Sequence, residues 1–289
     1  MSITHWVRYT HQGAAGFGRL AGEHIAECQG DMFDAPEPTG QLLPLAEVQI
    51  SIPCVPSKFI GLWNNYHAHA TKQALSIPAE PLWFIKAASS YLASGQPFTT
   101  PASYGGRVVY EGELGLVIGK TCKNIAVEAA AEAIFGLTCV NDVTALDVLA
   151  RDASFAQWTR AKSFDTFGIF GPCIATGLDW QALSVRTLVN GRERQNYPCR
   201  DMIFSPAQIV ASLSREMTLQ PGDVIACGTS LGVLPIKPGT LVEVSIDSIG
   251  VLKNTFVQTP SADSGHENLY CGRRCHWRHV GREALTHWP

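Results

Sequence analysis

Charged residues are scarce in this chain. Asp, Glu, Lys and Arg supply 16% of its 289 residues, where soluble domains commonly carry about 25%. With 26 glycines and 17 prolines, that deficit points to a compact β-rich body joined by many turns. Neither sign of charge is in large excess. The formal net charge is −3, which favours neither nucleic-acid phosphates nor an anionic membrane as a partner. There is no apolar run of about 18 residues to span a bilayer, and the opening residues from Met1 to Arg8 lack the apolar core of a signal peptide. The nine cysteines are odd in number and mostly scattered singly through apolar segments, as at Cys54, Cys122, Cys139, Cys173 and Cys227. Without a signal peptide they read as reduced thiols, and the expected location is the cytoplasm. Internal repeats and low-complexity tracts are also missing.

What is present divides into three parts. Residues 1–47 read as a small N-terminal β unit, with a linker-like break from Asp34 through Pro36 and Pro38 to Gly40. Residues 48–258 form the main body. Its strand signals fall at Val48–Ile52, Lys58–Leu62, Val108–Ile118, Pro172–Thr176, Val185–Val189, Val224–Cys227 and Leu241–Ile246. Helical patterns cover Tyr66–Leu75, Val127–Ala133 and Pro206–Leu213. Residues 259–289 turn polar and basic and are expected to form a poorly ordered tail. There His266, Cys271, Cys275, His276, His279 and His287 offer zinc-type ligands, but Cys-x3-Cys and His-x2-His come without the usual scaffold of a structural zinc site. The fold class is α+β, predominantly β.

The most informative stretch runs from Val109 to Gly119 and contains Tyr110-Glu111-Gly112-Glu113-Leu114. Side chains alternate along a strand, so Glu111 and Glu113 share a face with Val109, Gly115 and Val117, opposite Tyr110, Leu114, Leu116 and Ile118. Two carboxylates about 7 Å apart on an apolar face repel each other unless a proton or a cation intervenes. A hard divalent ion with oxygen ligands meets that need; two solvated glutamates on an edge strand are the alternative. A third carboxylate comes in Asn141-Asp142, delivered by an apolar run to a strand end, although Asn-Asp alone is more often a turn. Lys162 lies among aromatics and glycines between Gln157 and Pro172, where it could hold an anionic substrate or stabilise developing negative charge. Gly228-Thr229-Ser230 follows a buried strand, and its amides and hydroxyls could grip a carboxylate.

The order of these segments resembles the fumarylacetoacetate hydrolase family. The resemblance rests on Asn65-Tyr66-His67-Ala68-His69, Phe84-Ile85-Lys86, Tyr110-Glu111-Gly112-Glu113-Leu114, Asn141-Asp142-Val143, Lys162-Ser163-Phe164-Asp165-Thr166-Phe167-Gly168, Asn190-Gly191-Arg192-Glu193, Gly228-Thr229 and Ile249-Gly250-Val251-Leu252-Lys253-Asn254. It covers roughly Lys58 to Val257 and implies a mixed β-roll catalytic domain, usually a homodimer. It further implies Mg²⁺ or Mn²⁺ held by Glu111, Glu113 and Asp142, and a 2-oxo or 2,4-dioxo carboxylate substrate that chelates the metal through its enolate oxygens. By the same resemblance Lys162 faces the enolate, Lys86 and Thr229 belong to the substrate site, and His69 is the general base on a helical lid. The resemblance also implies a catabolic role.

Two departures bear on the reaction. Relatives that hydrolyse or decarboxylate usually carry a glutamate three residues after the histidine, where this chain has Lys72. Lys72 is therefore either a solvated helix lysine or a group that binds a distal carboxylate or moves protons. Many relatives also place an arginine and a glutamine four and seven residues after the aspartate. Leu146 and Leu149 stand here instead, which points to a neutral or apolar distal substrate group. Ser230 in place of a frequent proline is a milder change. The nominal reaction is C–C bond hydrolysis. A tautomerase, isomerase or decarboxylase on the same scaffold is the alternative that Lys72 favours, since enolate formation needs no activated water. A catalytically weak metal-binding homologue serving as a binding or assembly subunit is the second alternative.

Overall fold

The computed structural model describes residues 2–259; the zinc-type ligands and the expected disorder of the tail lie outside the described residues. Strands β1 (Thr4–His11), β2 (Ala14–Ala21), β3 (His24–Asp31) and β4 (Asp34–Pro44) form an antiparallel meander, followed by the short β5 (Gln49–Ile50). Next come β6 (Phe59–Trp63), helix α1 (His67–Lys72), β7 (Leu82–Lys86), β8 (Tyr91–Leu92), β9 (Val108–Val109) and β10 (Gly112–Ile118). Helix α2 (Val127–Ala130), β11 (Ile134–Asp142), β12 (Thr144–Ala145), α3 (Leu146–Leu149), α4 (Trp158–Lys162) and β13 (Gly168–Thr176) follow. The chain then runs through β14 (Ser184–Val189), β15 (Arg192–Pro198), α5 (Pro206–Glu216), β16 (Val224–Ala226), β17 (Pro235–Ile236), β18 (Leu241–Ile246) and β19 (Gly250–Thr255).

A mixed 12-stranded sheet organises these elements, in the order β4-β3-β2-β1-β13-β11-β10-β16-β6-β7 with β5 and β8 attached to β1 and β13. The N-terminal meander continues the sheet, because β1 pairs antiparallel with β13. Asp34–Gly40 is not the linker expected from its composition: the segment is part of β4, paired to β3 with Pro38 opposite Cys28 and Glu37 opposite Gln29. Its prolines look like a break in sequence because they lack an amide donor. On the outermost strand of a sheet one edge needs no donor, and prolines there guard against further strand addition.

Two smaller sheets, β12-β9-β17 and β15-β14-β18-β19, complete the body. The second packs β14, β18 and β19 against β10, β11 and β13. That contact buries one face of the central strands, with Leu114, Leu116, Cys139, Val185, Val244 and Leu252 in one apolar cluster. The alternate residues Val117 and Val140 join Phe59, Phe170, Ile174 and Val224 in a second cluster. Every residue of β10 is buried, which is why that strand reads as nearly continuous apolar sequence. Helix α5 is the best-delimited helix: Ser205 caps it, with its hydroxyl accepting from the Gln208 amide while the Gln208 side chain accepts from the Ser205 amide. Pro206 occupies the first helical turn, where its missing donor costs nothing. No helix among the described residues is long and apolar enough to cross a membrane.

Two further boundaries differ from expectation. The strand expected over Val108–Ile118 is broken, with β9 and β10 in different sheets and Tyr110-Glu111 between them. The helix expected over Tyr66–Leu75 is only α1. Tyr66 remains extended and Ala74 takes a left-handed φ of 53°, a conformation that ends a helix.

Candidate metal centre and active site

The break between β9 and β10 builds the site. At Glu111 the chain leaves one ladder before entering another, so its side chain is not confined to ideal strand spacing. The Glu111 amide donates to Asn141 Oδ1 at 3.1 Å, and its carbonyl accepts from the Asp142 amide at 2.8 Å. Glu113 lies in β10 and Asp142 at the end of the neighbouring β11, with Gly112 opposite Asn141 in register. One carboxylate oxygen from each of Glu111, Glu113 and Asp142 falls within 4.8 Å of the others. The three residues expected from the sequence to share a cation are therefore brought together, closer than the strand repeat alone would place them.

Two buried ammonium groups balance much of this charge. Lys162 Nζ, at the end of α4, donates to Asp142 Oδ2 at 2.6 Å and to Glu111 Oε1 at 2.9 Å. It also sits 5.0 Å from the centre of the Phe84 ring, a cation–π contact strengthened by desolvation. Lys86, on β7, donates to Asp142 Oδ1 and, at 3.4 Å, to the Val143 carbonyl. The structure thus places Lys86 fully buried against a candidate metal ligand, not at the site's opening. Burial pushes the Asp142 carboxyl up, but Lys162 and Lys86 outweigh burial and hold it below the usual range. Burial likewise pulls the Lys162 ammonium down, and Asp142, Glu111 and Glu113 more than reverse that effect.

Glu113 is different. Its Oε2 accepts from the Gly228 amide at 2.6 Å, but its buried Oε1 has no hydrogen-bond partner. Burial, with Asp142 and Glu111 nearby, pushes its carboxyl well above the usual range. A buried carboxylate oxygen without a partner carries a large desolvation cost. Facing two further carboxylates, it fits a hard divalent ion, which takes oxygen ligands. Gly228 can reach Glu113 because it adopts φ of 90°, a region open to glycine at little cost.

The remaining expected residues surround this cluster. Thr229 is half-buried next to Gly228 and donates to the Gly112 carbonyl at 3.0 Å. Leu146 and Leu149 are both half-buried on α3, and Leu149 packs on the main apolar cluster. His69 is half-buried on α1; burial lowers its imidazole, opposed by the nearby Glu111 charge. Lys72 is exposed at the end of the same helix. The start of α1 is fastened by Asn65, whose amide nitrogen donates to the Cys227 carbonyl at 2.8 Å and whose oxygen accepts from the Phe204 amide at 2.9 Å. His69 and the Gly228-Thr229 loop are thereby tied to one anchor.

Sequence reasoning missed several participants. Thr144 Oγ1 donates to Glu111 Oε1 at 2.7 Å. Phe84 stacks on Trp158, 5.7 Å between ring centres, and with Trp63 and Leu82 these rings line a cavity of about 560 Å³. Gln195 and Tyr197 reach the Gly112 peptide from β15. The signal for that pair was alternation: both are buried while Arg194 and Asn196 are exposed.

With this geometry in view, comparison with known proteins gives a consistent answer. Residues 58–257 match the sequence model described as fumarylacetoacetate (FAA) hydrolase C-terminal, and residues 4–53 match one described as Rv2993c-like, N-terminal. An uncharacterized protein of Archaeoglobus fulgidus is 44% identical over 219 residues, spanning 76% of this chain and 86% of that protein. The crystal structure of a 2-hydroxyhepta-2,4-diene-1,7-dioate isomerase from Mycobacterium marinum superposes with a TM-score of 0.82 at 35% identity, over 89% of this chain and 100% of that one. A maleylpyruvate hydrolase from Sphingobium sp. SYK-6, solved with manganese(II) and pyruvate, superposes with a TM-score of 0.71 at 27% identity, over 89% and 100%. The matched segment holds all three convergent carboxylates, both buried lysines and His69, and the chain belongs to the fumarylacetoacetate hydrolase family.

Proposed function

We propose that this protein is a divalent-metal-dependent enzyme acting on a 2-oxo or 2,4-dioxo carboxylate, nominally by C–C bond hydrolysis. The observation that carries this reading is the convergence of Glu111, Glu113 and Asp142 within 4.8 Å, with Glu113 Oε1 buried and unpartnered. Mg²⁺ or Mn²⁺ bound there would supply Lewis acidity to the oxygens of a 2-oxo acid. The presence of manganese(II) and pyruvate in the Sphingobium hydrolase supports the same pairing of ion and ligand.

The chain's own residues supply the rest. His69, whose imidazole partial burial shifts below its ordinary value, takes a proton from water, whose oxygen adds to the 4-oxo carbon. The bond from that carbon to C3 then breaks, and its electron pair passes into the departing 2-oxo acid as an enolate. Lys162 stabilises the negative charge that develops there. His69 returns the proton to C3, so that water is consumed and a carboxylic acid and a 2-oxo acid are released. Thr229 and the amides beside it would hold the substrate carboxylate, while Lys86 would serve indirectly by fixing Asp142. Leu146 and Leu149, where relatives carry polar residues, support an apolar distal group. We take the working unit to be a homodimer, as the family resemblance suggests, and its location to be the cytoplasm, which the unpaired cysteines among the described residues support.

A second reading, isomerisation or decarboxylation, draws support from Lys72, because no carboxylate follows His69 to assist water activation. Purified protein assayed with Mg²⁺ and with Mn²⁺ on acylpyruvates and on oxaloacetate tests both. Metal-dependent formation of a carboxylic acid and a 2-oxo acid supports hydrolysis, whereas turnover without water uptake supports the second reading. No metal-dependent turnover across the panel overturns both.

A further inference from the structure

Gly112 separates Glu111 from Glu113, so its peptide groups govern how those two side chains are aimed. Its amide donates to Gln195 Oε1 at 3.0 Å. Its carbonyl accepts from the Tyr197 hydroxyl and, at 3.0 Å, from Thr229 Oγ1. The other end of Gln195 turns toward the loop after β16: Nε2 donates to Thr229 Oγ1 at 2.8 Å and lies 3.4–3.5 Å from the Leu231 and Ser230 carbonyls. Gln195 and Tyr197 are both buried, two residues apart on one face of β15. This sheet approaches so closely that a Cβ at position 112 would lie 2.0 Å from Thr187 Oγ1. A glycine is required there by that approach.

We propose that Gln195 and Tyr197 are positioning residues that hold the Glu111-Gly112-Glu113 backbone in its metal-binding form, and that Gln195 also joins this segment to the loop that would grip the substrate carboxylate. The inference rests on the proposed function and assigns β15 a part in it. Neither side chain hydrogen-bonds to the convergent carboxylates. Tyr197 grips the Gly112 carbonyl beside the Thr229 hydroxyl that shares it, whereas Gln195 grips the Gly112 amide and Thr229 and, of the two, alone reaches the Ser230 and Leu231 carbonyls. The two residues therefore have separable duties. Both set the spacing of Glu111 and Glu113, and Gln195 in addition sets the distance from the metal centre to Thr229. Partners that orient metal ligands typically contribute about 10–100-fold to metal affinity.

The test uses the full-length protein with Mn²⁺ as the probe ion and oxalate as a non-reacting stand-in for a 2-oxo acid. Free Mn²⁺ is followed by electron paramagnetic resonance, and folding is checked by circular dichroism. Tyr197→Phe removes one hydroxyl and keeps the ring; Gln195→Met keeps the side-chain length and removes both hydrogen-bonding functions. Each variant should bind Mn²⁺ about 10–100-fold more weakly than wild type. Gln195→Met alone should also weaken oxalate binding to the Mn²⁺-loaded protein. Thr229→Val, which loses the hydroxyl that Gln195 holds, should reproduce the oxalate defect and covers the case of a poorly folding Gln195→Met. Mn²⁺ affinities of folded variants equal to wild type would overturn the positioning role. Loss of oxalate binding in Tyr197→Phe as large as in Gln195→Met or Thr229→Val would overturn the link to the loop. Failure of wild type itself to bind Mn²⁺ would overturn the proposed function along with this inference.

Discussion

Lys162 Nζ lies 2.6 Å from Asp142 Oδ2, on the carboxylate whose other oxygen holds Lys86. This arrangement lets the fold keep three carboxylates close together with Glu113 and Asp142 fully buried and Glu111 half-buried. Two ammonium groups face the Asp142 end of the cluster, while Glu113 Oε1 at the other end has no partner. The residual negative charge is thus concentrated on the side where a cation is needed.

Removing the ammonium should expose that balance. Lys162→Met leaves Asp142 and Glu111 buried or half-buried with one cation fewer, and breaking a buried pair by deleting one partner costs about 3–5 kcal/mol. Urea unfolding in EDTA should show a loss of that order. Mn²⁺ should stabilise the variant more than it stabilises wild type, because the added ion replaces the missing positive charge. A metal-free variant as stable as wild type would mean that Lys162 does not neutralise the cluster.

Glu113→Gln should separate metal binding from folding. The substitution removes a direct ligand, so Mn²⁺ affinity should fall by at least about 100-fold, the upper end of what a mere orienting partner costs. The metal-free variant should be as stable as wild type or more so, because a buried charge with an unpartnered oxygen has been replaced by a neutral group. Thermal unfolding in EDTA and Mn²⁺ titration together check this. Undiminished affinity would remove Glu113 from the metal centre.

The candidate ligands were legible in sequence because Glu-Gly-Glu within an apolar run has few structural uses, and because Asn141-Asp142 ends another such run. The strand β18 was legible to the residue, its alternation being uninterrupted. The edge strand β4 was not, since proline and glycine carry the same local signal in a linker and on an open sheet edge. The break at Tyr110-Glu111 was hidden for a different reason: β9 and β10 are both apolar strands, and only their assignment to different sheets separates them. Gln195 and Tyr197 act through backbone groups far away in sequence, a relationship that periodicity along β15 cannot specify.

The described cysteines should be inert in the folded protein. All seven are buried and unpaired, and burial pushes the Cys54, Cys173 and Cys199 thiols up to about 12. The thiolate is the reactive form, so iodoacetamide at pH 8 should leave these three unmodified in native protein and alkylate them fully in urea. Peptide mass spectrometry reads the difference site by site. Rapid native labelling of Cys173 or Cys199 would show that the packing of β13 or of the turn after β15 opens readily.

The acidic limb of activity should report His69. Burial lowers its imidazole and Glu111 only partly offsets this, so the neutral base persists below the ordinary histidine value of about 6.5. The kcat/KM profile should hold through that pH and fall only beneath it. His69→Asn should lose about 10²–10⁴-fold in turnover and retain Mn²⁺ binding. An acid limb above the ordinary histidine value would assign the base to another group.

Lys72 decides between the two readings of the reaction. It shares a helix face with His69 at the i,i+3 spacing, yet its side chain is exposed at the end of α1, where its charge is largely solvated. As the chain stands, His69 can accept a substrate proton but has no carboxylate on its own helix face to support the imidazolium that forms when water is deprotonated; only the Glu111 charge acts in that direction. On the second reading, enolisation, followed as deuterium exchange at C3 of a 2-oxo acid, should outrun hydrolysis of an acylpyruvate; on the first, hydrolysis should keep pace with it. Lys72→Glu places a carboxylate within reach of the ring, which favours its protonated form and should raise hydrolysis relative to exchange. The ratio of the two rates is the readout, because it is insensitive to the fraction of active protein. If wild type hydrolyses acylpyruvates readily and the ratio does not move in Lys72→Glu, Lys72 is a bystander on the helix surface and hydrolysis stands as the reaction.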